Sequence, residues 1–146
     1  MKKLLENIKK HEGFRAKVYK DTLGFDTVGY GFKVDSLTTD ELALNGGRVA
    51  PMSAEVAEAI LELKLQKLES ELRNRAPHIF ALKPSARDSC FEMAYQMGIK
   101  GFLSFKRMHE ALKSEDYESA RHHALDSEWA KQTPKRAEAV SYGFLA

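Results

Sequence analysis

From Ala54 to about Arg75 the chain runs without a glycine or proline. Within that run Val56, Ile60 and Leu63, together with Leu61, Leu65, Leu68 and Leu72, recur at the spacing of one broad helical face. Ser53 stands before the run as an N-cap. This is the longest helix the sequence predicts, and the segments on its two sides read differently.

Ahead of it, Leu4, Leu5 and Ile8 fall at helical spacing and Gly13 follows as a left-handed C′ residue, so a first helix is expected from roughly Lys2 to Glu12. Short β-forming runs, "KVY" and "FDTVGY", are separated by the turn-like "KDTLG", which predicts a small antiparallel hairpin sheet through about Val34. "TTDELALNGG" then reads as one or two helical turns stopped by Gly46 and Gly47, and Pro51 ends a short loop. Beyond the long helix, Pro77 and Pro84 punctuate the loops. Helices are expected near 85–97, 103–113, 115–130 and 134–143, the last with Thr133 as N-cap and Pro134 at N1. Helix dominates, with no internal repeat, low-complexity tract or linker.

At 146 residues, 43% hydrophobic and 30% charged, the chain is expected to be one globular domain with a real core. Twenty-three basic against twenty-one acidic residues leave a net charge of +2, too even to demand a nucleic-acid or membrane partner. The single Cys90 excludes an internal disulfide and reads as a small core residue. The lysine-rich opening "MKKLLENIKK" is broken by Glu6, Asn7, Lys9 and Lys10 before any signal-peptide apolar run forms, so synthesis without a Sec address is expected. No window approaches eighteen apolar residues, and no membrane insertion is expected.

The densest chemistry lies at 11–31, "HEGFRAKVYKDTLGFDTVGYG". Glu12 falls in the last turn of the first helix, where the macrodipole disfavours an ionised carboxylate and a proton-holding general acid is suited. Asp21 falls in a polar turn, where a lysine and backbone donors are expected to keep it ionised. One acid and one base is the pattern of glycoside hydrolysis. On the second strand, alternation puts Phe25, Thr27, Gly29 and Gly31 on one face and Val28, Tyr30 and Phe32 on the other. Two glycines beside a threonine suggest that a ligand or another backbone comes close there. From the residues alone a plainer reading stays open: Glu12 a solvated helix-end charge, Asp21 an ordinary turn residue, and Gly29 with Gly31 a bulge.

The spacing Glu12-Gly13, then Tyr19-x-Asp21-x-x-Gly24, then Thr27-Val28-Gly29-x-Gly31 resembles the catalytic signature of the phage-type lysozymes, the endolysin family of glycoside hydrolases. Downstream, "AYQMG" at 94–98, "GF" at 101–102 and "EWAKQTPKRA" at 128–137 are similar to that family's helical lobe, in the same order. The resemblance implies an α+β, lysozyme-like domain, mainly helical, with a β-hairpin lobe at about 14–52 and a linking helix at about 54–75. The helical lobe would be made of helix one and about 76–146. It implies hydrolysis, with inversion, of the β-1,4 bond between N-acetylmuramic acid and N-acetylglucosamine in peptidoglycan. Glu12 would be the general acid, and Asp21 and Thr27 would hold and activate the water. Arg136 matches the arginine that pairs with the family's catalytic glutamate, and Gly29, Gly31 and Tyr95 are candidate substrate contacts. No cofactor is needed. The implied setting is the host bacterial cytoplasm, as a monomer, until a separate holin opens the route to the wall. Rival functions are a lytic transglycosylase acting on the same bond and a non-catalytic helical module binding the cell wall or nucleic acid.

Two positions depart from the family pattern. Phe32 stands where many members carry histidine, so an ion pair built on that histidine is expected to be absent. Glu92 stands where relatives often have a small or amide residue. His11, His78, His109, His122 and His123 show no metal-ligand spacing, and no metal is assigned. Met93 and Met97, with Cys90 and Ala94, read as a core face. Trp129 and Tyr95 each read either as core, Trp129 also as cleft base, or as an aromatic wall for sugar rings.

Overall fold

The computed structural model of the chain describes residues 2–146. It is mainly helical with one three-stranded antiparallel sheet, the α+β class expected from the sequence. The chain divides into two compact units, the first through Gln66 and the second Lys67–Ala146.

The first unit opens with α1 (Lys2–Glu12), which buries Leu4 and Ile8 one turn apart. Gly13 closes it from the left-handed region, at φ 70°, donating its N–H to the Lys9 carbonyl at 2.9 Å. The sheet follows as β1 (Arg15–Lys20), β2 (Asp26–Gly29) and β3 (Phe32–Lys33) in sequential order. Tyr19 pairs with Thr27 and Lys20 with Asp26, while Arg15 pairs with Gly29, so β1 carries an irregularity between Arg15 and Tyr19. The expected alternation holds only to Val28. β2 ends at Gly29, and Gly29 and Gly31 take φ 66° and 73° on either side of Tyr30, making a turn where a continuous strand was expected. Strand geometry cannot pass through two left-handed residues.

Helix α2 (Thr39–Ala43) is fixed by a capping box in which Thr38 and Glu41 exchange hydrogen bonds with each other's backbone N–H. Glu41 is only 2% exposed, and Lys64 pairs with its carboxylate at 3.1 Å. The long predicted helix is α3 (Ala54–Arg75), started by the Ser53 hydroxyl, which accepts from Val56 N–H at 3.1 Å. The boundary between the two units falls within it.

The second unit continues through a 3-10 turn (Pro77–Ala81), α4 (Pro84–Leu103), α5 (Lys106–Lys113), α6 (Tyr117–Leu125), α7 (Glu128–Gln132) and α8 (Pro134–Ser141). Two boundaries differ from expectation. α4 runs through to Leu103, interrupted only at Gly98 (φ 83°, ψ 161°). The helix expected over 115–130 is two, because the Ser127 hydroxyl caps α7 by accepting from Ala130 N–H at 3.2 Å. Thr133 does stand at the start of α8, with Pro134 after it. Its hydroxyl, however, bonds the Trp129 carbonyl at 3.1 Å and so does not cap the helix. Cys90, Met93, Phe102, Met108, Leu112 and Phe144 are buried in this unit, and burial pushes the Cys90 thiol pKa upward.

Gly143 allows the chain end to close on α4. A Cβ there would lie 2.0 Å from Ser89 Oγ and 2.9 Å from the Ser85 carbonyl, and the Ser89 hydroxyl is itself held by the Val140 carbonyl at 2.6 Å. Gly143→Ala should therefore cost about 1–3 kcal/mol, as overpacking into backbone does. A denaturant midpoint equal to that of the wild type would show that the closing turn can move away.

The two imidazoles of His78 and His109 meet, Nε2 to Nδ1, at 2.9 Å, and His109 Nε2 lies 2.9 Å from the Phe102 carbonyl. A carbonyl can only accept, so His109 is protonated at Nε2 and its Nδ1 accepts from His78 Nε2–H. Burial, then the fields of His109 and Lys113, lower His78 to about 4, and burial first also lowers His109. Both folded values lie below the unfolded histidine value, so the unfolded chain binds more protons between them. Stability from the pair is complete above about pH 6.5 and is lost as pH falls toward about 4. The melting temperature of the wild type should drop across that window more steeply than that of His78→Gln. Parallel curves would remove His78 as a cause.

Candidate active site

The first unit carries five of the seven candidate residues: Glu12, Asp21, Thr27, Gly29 and Gly31. Glu12 occupies the last residue of α1, following Lys9, Lys10 and His11, whose charges suit the helix C-terminus while its own does not. Its side chain lies over Gly31. A Cβ built on Gly31 would fall 2.2 Å from Glu12 Oε1 and 2.8 Å from Cδ, so only glycine leaves room for the carboxyl. Over Gly29 the space is filled by the Phe32 ring and the Met52 sulfur, at 2.7 and 3.1 Å from such a Cβ. The close approach expected at the two glycines is thus made by the protein's own side chains.

Asp21 opens the β1–β2 turn. Its Oδ1 accepts from Leu23 N–H at 2.9 Å and Phe25 N–H at 2.8 Å, while its own N–H donates to the Phe25 carbonyl at 2.9 Å. These bonds fix the carboxylate plane and leave Oδ2 without a hydrogen-bond partner among the described residues. The backbone donors expected at Asp21 are present. The lysine is not: Lys20 pairs with Asp26 at 2.7 Å, directly across the ladder. Thr27, 2% exposed, donates its hydroxyl to the Phe25 carbonyl at 2.9 Å, which leaves the hydroxyl oxygen able to accept.

Tyr19 was not singled out by sequence reasoning as a functional residue, although it opens the Tyr-x-Asp segment. It pairs with Thr27 across the sheet, and Arg15 stacks on its ring at 4.6 Å. Burial first, then the charge of Glu12, raise its phenol above the usual 10; Arg15 opposes this and Asp21 adds to it. One ring therefore lies within the fields of both carboxylates. The first unit thus carries a carboxyl on a helix end, a second carboxylate immobilised by backbone donors and a hydroxyl acceptor, the elements of a two-carboxylate acid–base site.

In the second unit Arg136 lies in the first turn of α8 and Tyr95 in α4, both part-buried. Glu92 is 4% exposed. Trp129, at 8% exposure, donates its indole N–H to Gln96 Oε1 at 2.9 Å and meets the Phe105 ring edge-on, so it is buried with its polar atom satisfied. Phe32, the departure in the first unit, is a core residue at 2% exposure with the Lys64 ammonium 5.4 Å from its ring centroid. No group of three or more metal-ligating side chains occurs among the described residues. No described helix is long and apolar enough to cross a membrane.

A mainly helical α+β chain with one carboxyl at the end of its first helix and a second in the first turn of a short sheet is of the lysozyme-like class. The phage lysozyme family model matches residues 9–143, and the chain belongs to that family. Among curated proteins it is 28% identical to the pre-baseplate central spike protein Gp5 of Enterobacteria phage T4, over 94% of this chain and 27% of the relative. The chain thus spans about a quarter of the length of that relative.

Proposed function

We propose that the protein degrades bacterial peptidoglycan by hydrolysing the β-1,4 bond between N-acetylmuramic acid and N-acetylglucosamine. Glu12 protonates the leaving glycosidic oxygen. A water held between Asp21 Oδ2 and the Thr27 hydroxyl oxygen loses its proton to Asp21 as it attacks the anomeric carbon from the opposite face, which inverts the configuration. The observation that supports this reading is the Asp21 carboxylate, held through Oδ1 by the Leu23 and Phe25 N–H groups with Oδ2 unbonded, together with a Glu12 carboxyl held over Gly31. Arg136 as a supporting cation rests on the family resemblance and Tyr95 as a sugar contact on its aromatic ring, while the space over Gly29 and Gly31 is taken by Phe32, Met52 and Glu12.

The proposed setting is a monomer in the host cytoplasm that reaches the wall after a separate holin opens the membrane. Purified cell walls test the activity through loss of turbidity, and mass analysis of the products tests the mechanism. Reducing sugar ends mark hydrolysis, and 1,6-anhydro ends mark a transglycosylase that needs no positioned water.

Asp21 has two separable tasks, which gives a further test. Asp21→Asn keeps an oxygen acceptor for the Leu23 and Phe25 N–H groups but cannot take a proton. It should melt near the wild type while losing about 10²- to 10⁴-fold in lysis rate. Asp21→Ala loses both bonds to water and should in addition lower stability by about 0.5–1.5 kcal/mol. Full activity in Asp21→Asn would reduce Asp21 to a turn residue.

A further inference from the structure

The His78–His109 pair has no part in the proposed reaction, and its surroundings give it a different one. A cavity of about 450 Å³ in the second unit is lined by Arg75 at the end of α3, His78 in the 3-10 turn, and Lys106, His109, Glu110 and Lys113 on α5. Three permanent cations and two imidazoles thus share a concavity with one carboxylate. Arg75, Lys106 and Lys113 are exposed, and none is in an ion pair among the described residues. Like charges gathered in a hollow repel one another, and an anion entering the hollow relieves that repulsion.

We propose that this cavity binds a phosphate group, borne either by free phosphate or by a phosphodiester. Arg75 supplies a planar two-toothed donor, and Lys106 and Lys113 supply mobile point charges, a donor set that suits a tetrahedral oxyanion with several acceptor oxygens. The imidazoles report the occupant. With the hollow empty, burial, then His109 and Lys113, keep His78 neutral. Its Nε2–H is committed to His109, so a proton taken up goes to Nδ1 and leaves the His78–His109–Phe102 chain intact. An anion beside the ring favours the imidazolium, so phosphate binding and proton uptake strengthen each other by the same factor. Glu110 opposes both, and Leu103, contributed by α4, is neutral.

The test is a titration of the full chain followed by amide and imidazole NMR shifts, at constant ionic strength against chloride. Two probes are used: inorganic phosphate, and a diglycerol phosphodiester whose charge is constant across the pH range. Saturable shifts centred on His78 and Lys113 are expected. Affinity should fall about two- to fivefold for each of Arg75→Gln, Lys106→Gln and Lys113→Gln, and binding should disappear in the triple variant with its melting temperature retained. Saturation by the diester identifies the polymer-borne group as a ligand, and saturation by inorganic phosphate alone identifies the free ion. For the diester, affinity should rise from pH 7 to pH 5 in the wild type and stay flat in His78→Gln. Shifts that grow linearly, or that persist in the triple variant, would overturn the site; saturable but pH-independent binding in the wild type would overturn the role of His78.

Discussion

Glu12→Gln is expected to abolish lysis of purified cell walls, with a loss of about 10²- to 10⁴-fold, the usual effect of removing one acid–base group. The fold should be unchanged. The amide has nearly the volume of the carboxyl and can sit over Gly31 in the same way, so the packing that holds the side chain survives. What is lost is the transferable proton, because an amide cannot protonate a leaving glycosidic oxygen at neutral pH. Glu12→Asp is the sharper control. It keeps the acid but withdraws it by one methylene from the position that α1 and Gly31 define, and a misplacement of about 1 Å in such a group costs about 10²-fold. A variant series in which glutamine retains lysis within about threefold of the wild type, at an unchanged melting temperature, would remove Glu12 from the chemistry.

Much of the architecture could be read from periodicity and punctuation. The 22 residues of α3 begin and end where the Ser53 cap and the exhausted apolar pattern put them, and Gly13 ends α1 as its lack of a Cβ allows. The misreadings share a cause: a local signal was weighed against the wrong competitor. Ser127 carries a cap signal inside a run with no glycine or proline, and the run was read through it. Thr133 was placed correctly at a helix start, but a carbonyl one turn back takes its hydroxyl. A lysine was expected to favour Asp21, yet the adjacent Lys20 is placed by strand alternation and the register opposite Asp26. In the candidate site, the spacing of Glu12, Asp21 and Thr27 was legible because turn and strand chemistry are local. The contact of Glu12 with Gly31 was not, because it joins a helix end to a turn nineteen positions on, and nothing in the residues between them encodes that meeting.

That contact gives the second large expectation. Gly31→Ala should both destabilise the first unit and nearly abolish the proposed lysis, for two reasons that can be separated. At φ 73° an alanine pays the left-handed penalty of about 1–2 kcal/mol wherever it is placed. Its Cβ would also stand 2.2 Å from Glu12 Oε1, a distance no pair of such atoms tolerates, so either the turn or the carboxyl must move. The carboxyl is the softer of the two, being the far end of a flexible side chain on a part-exposed helix terminus. It should swing off its position, and the lysis rate should fall about 10²-fold or more for the same reason as in Glu12→Asp. A double-mutant cycle with Glu12→Ala isolates the clash. In that background there is no carboxyl to displace, and Gly31→Ala should cost only the backbone penalty, leaving a coupling of about 0.5–3 kcal/mol between the two positions. Denaturant midpoints of the four proteins measure it. A coupling of zero would mean that the side chain and the turn do not meet in solution. Wild-type lysis by Gly31→Ala would mean that the carboxyl does its work from somewhere other than the place where α1 and the turn hold it.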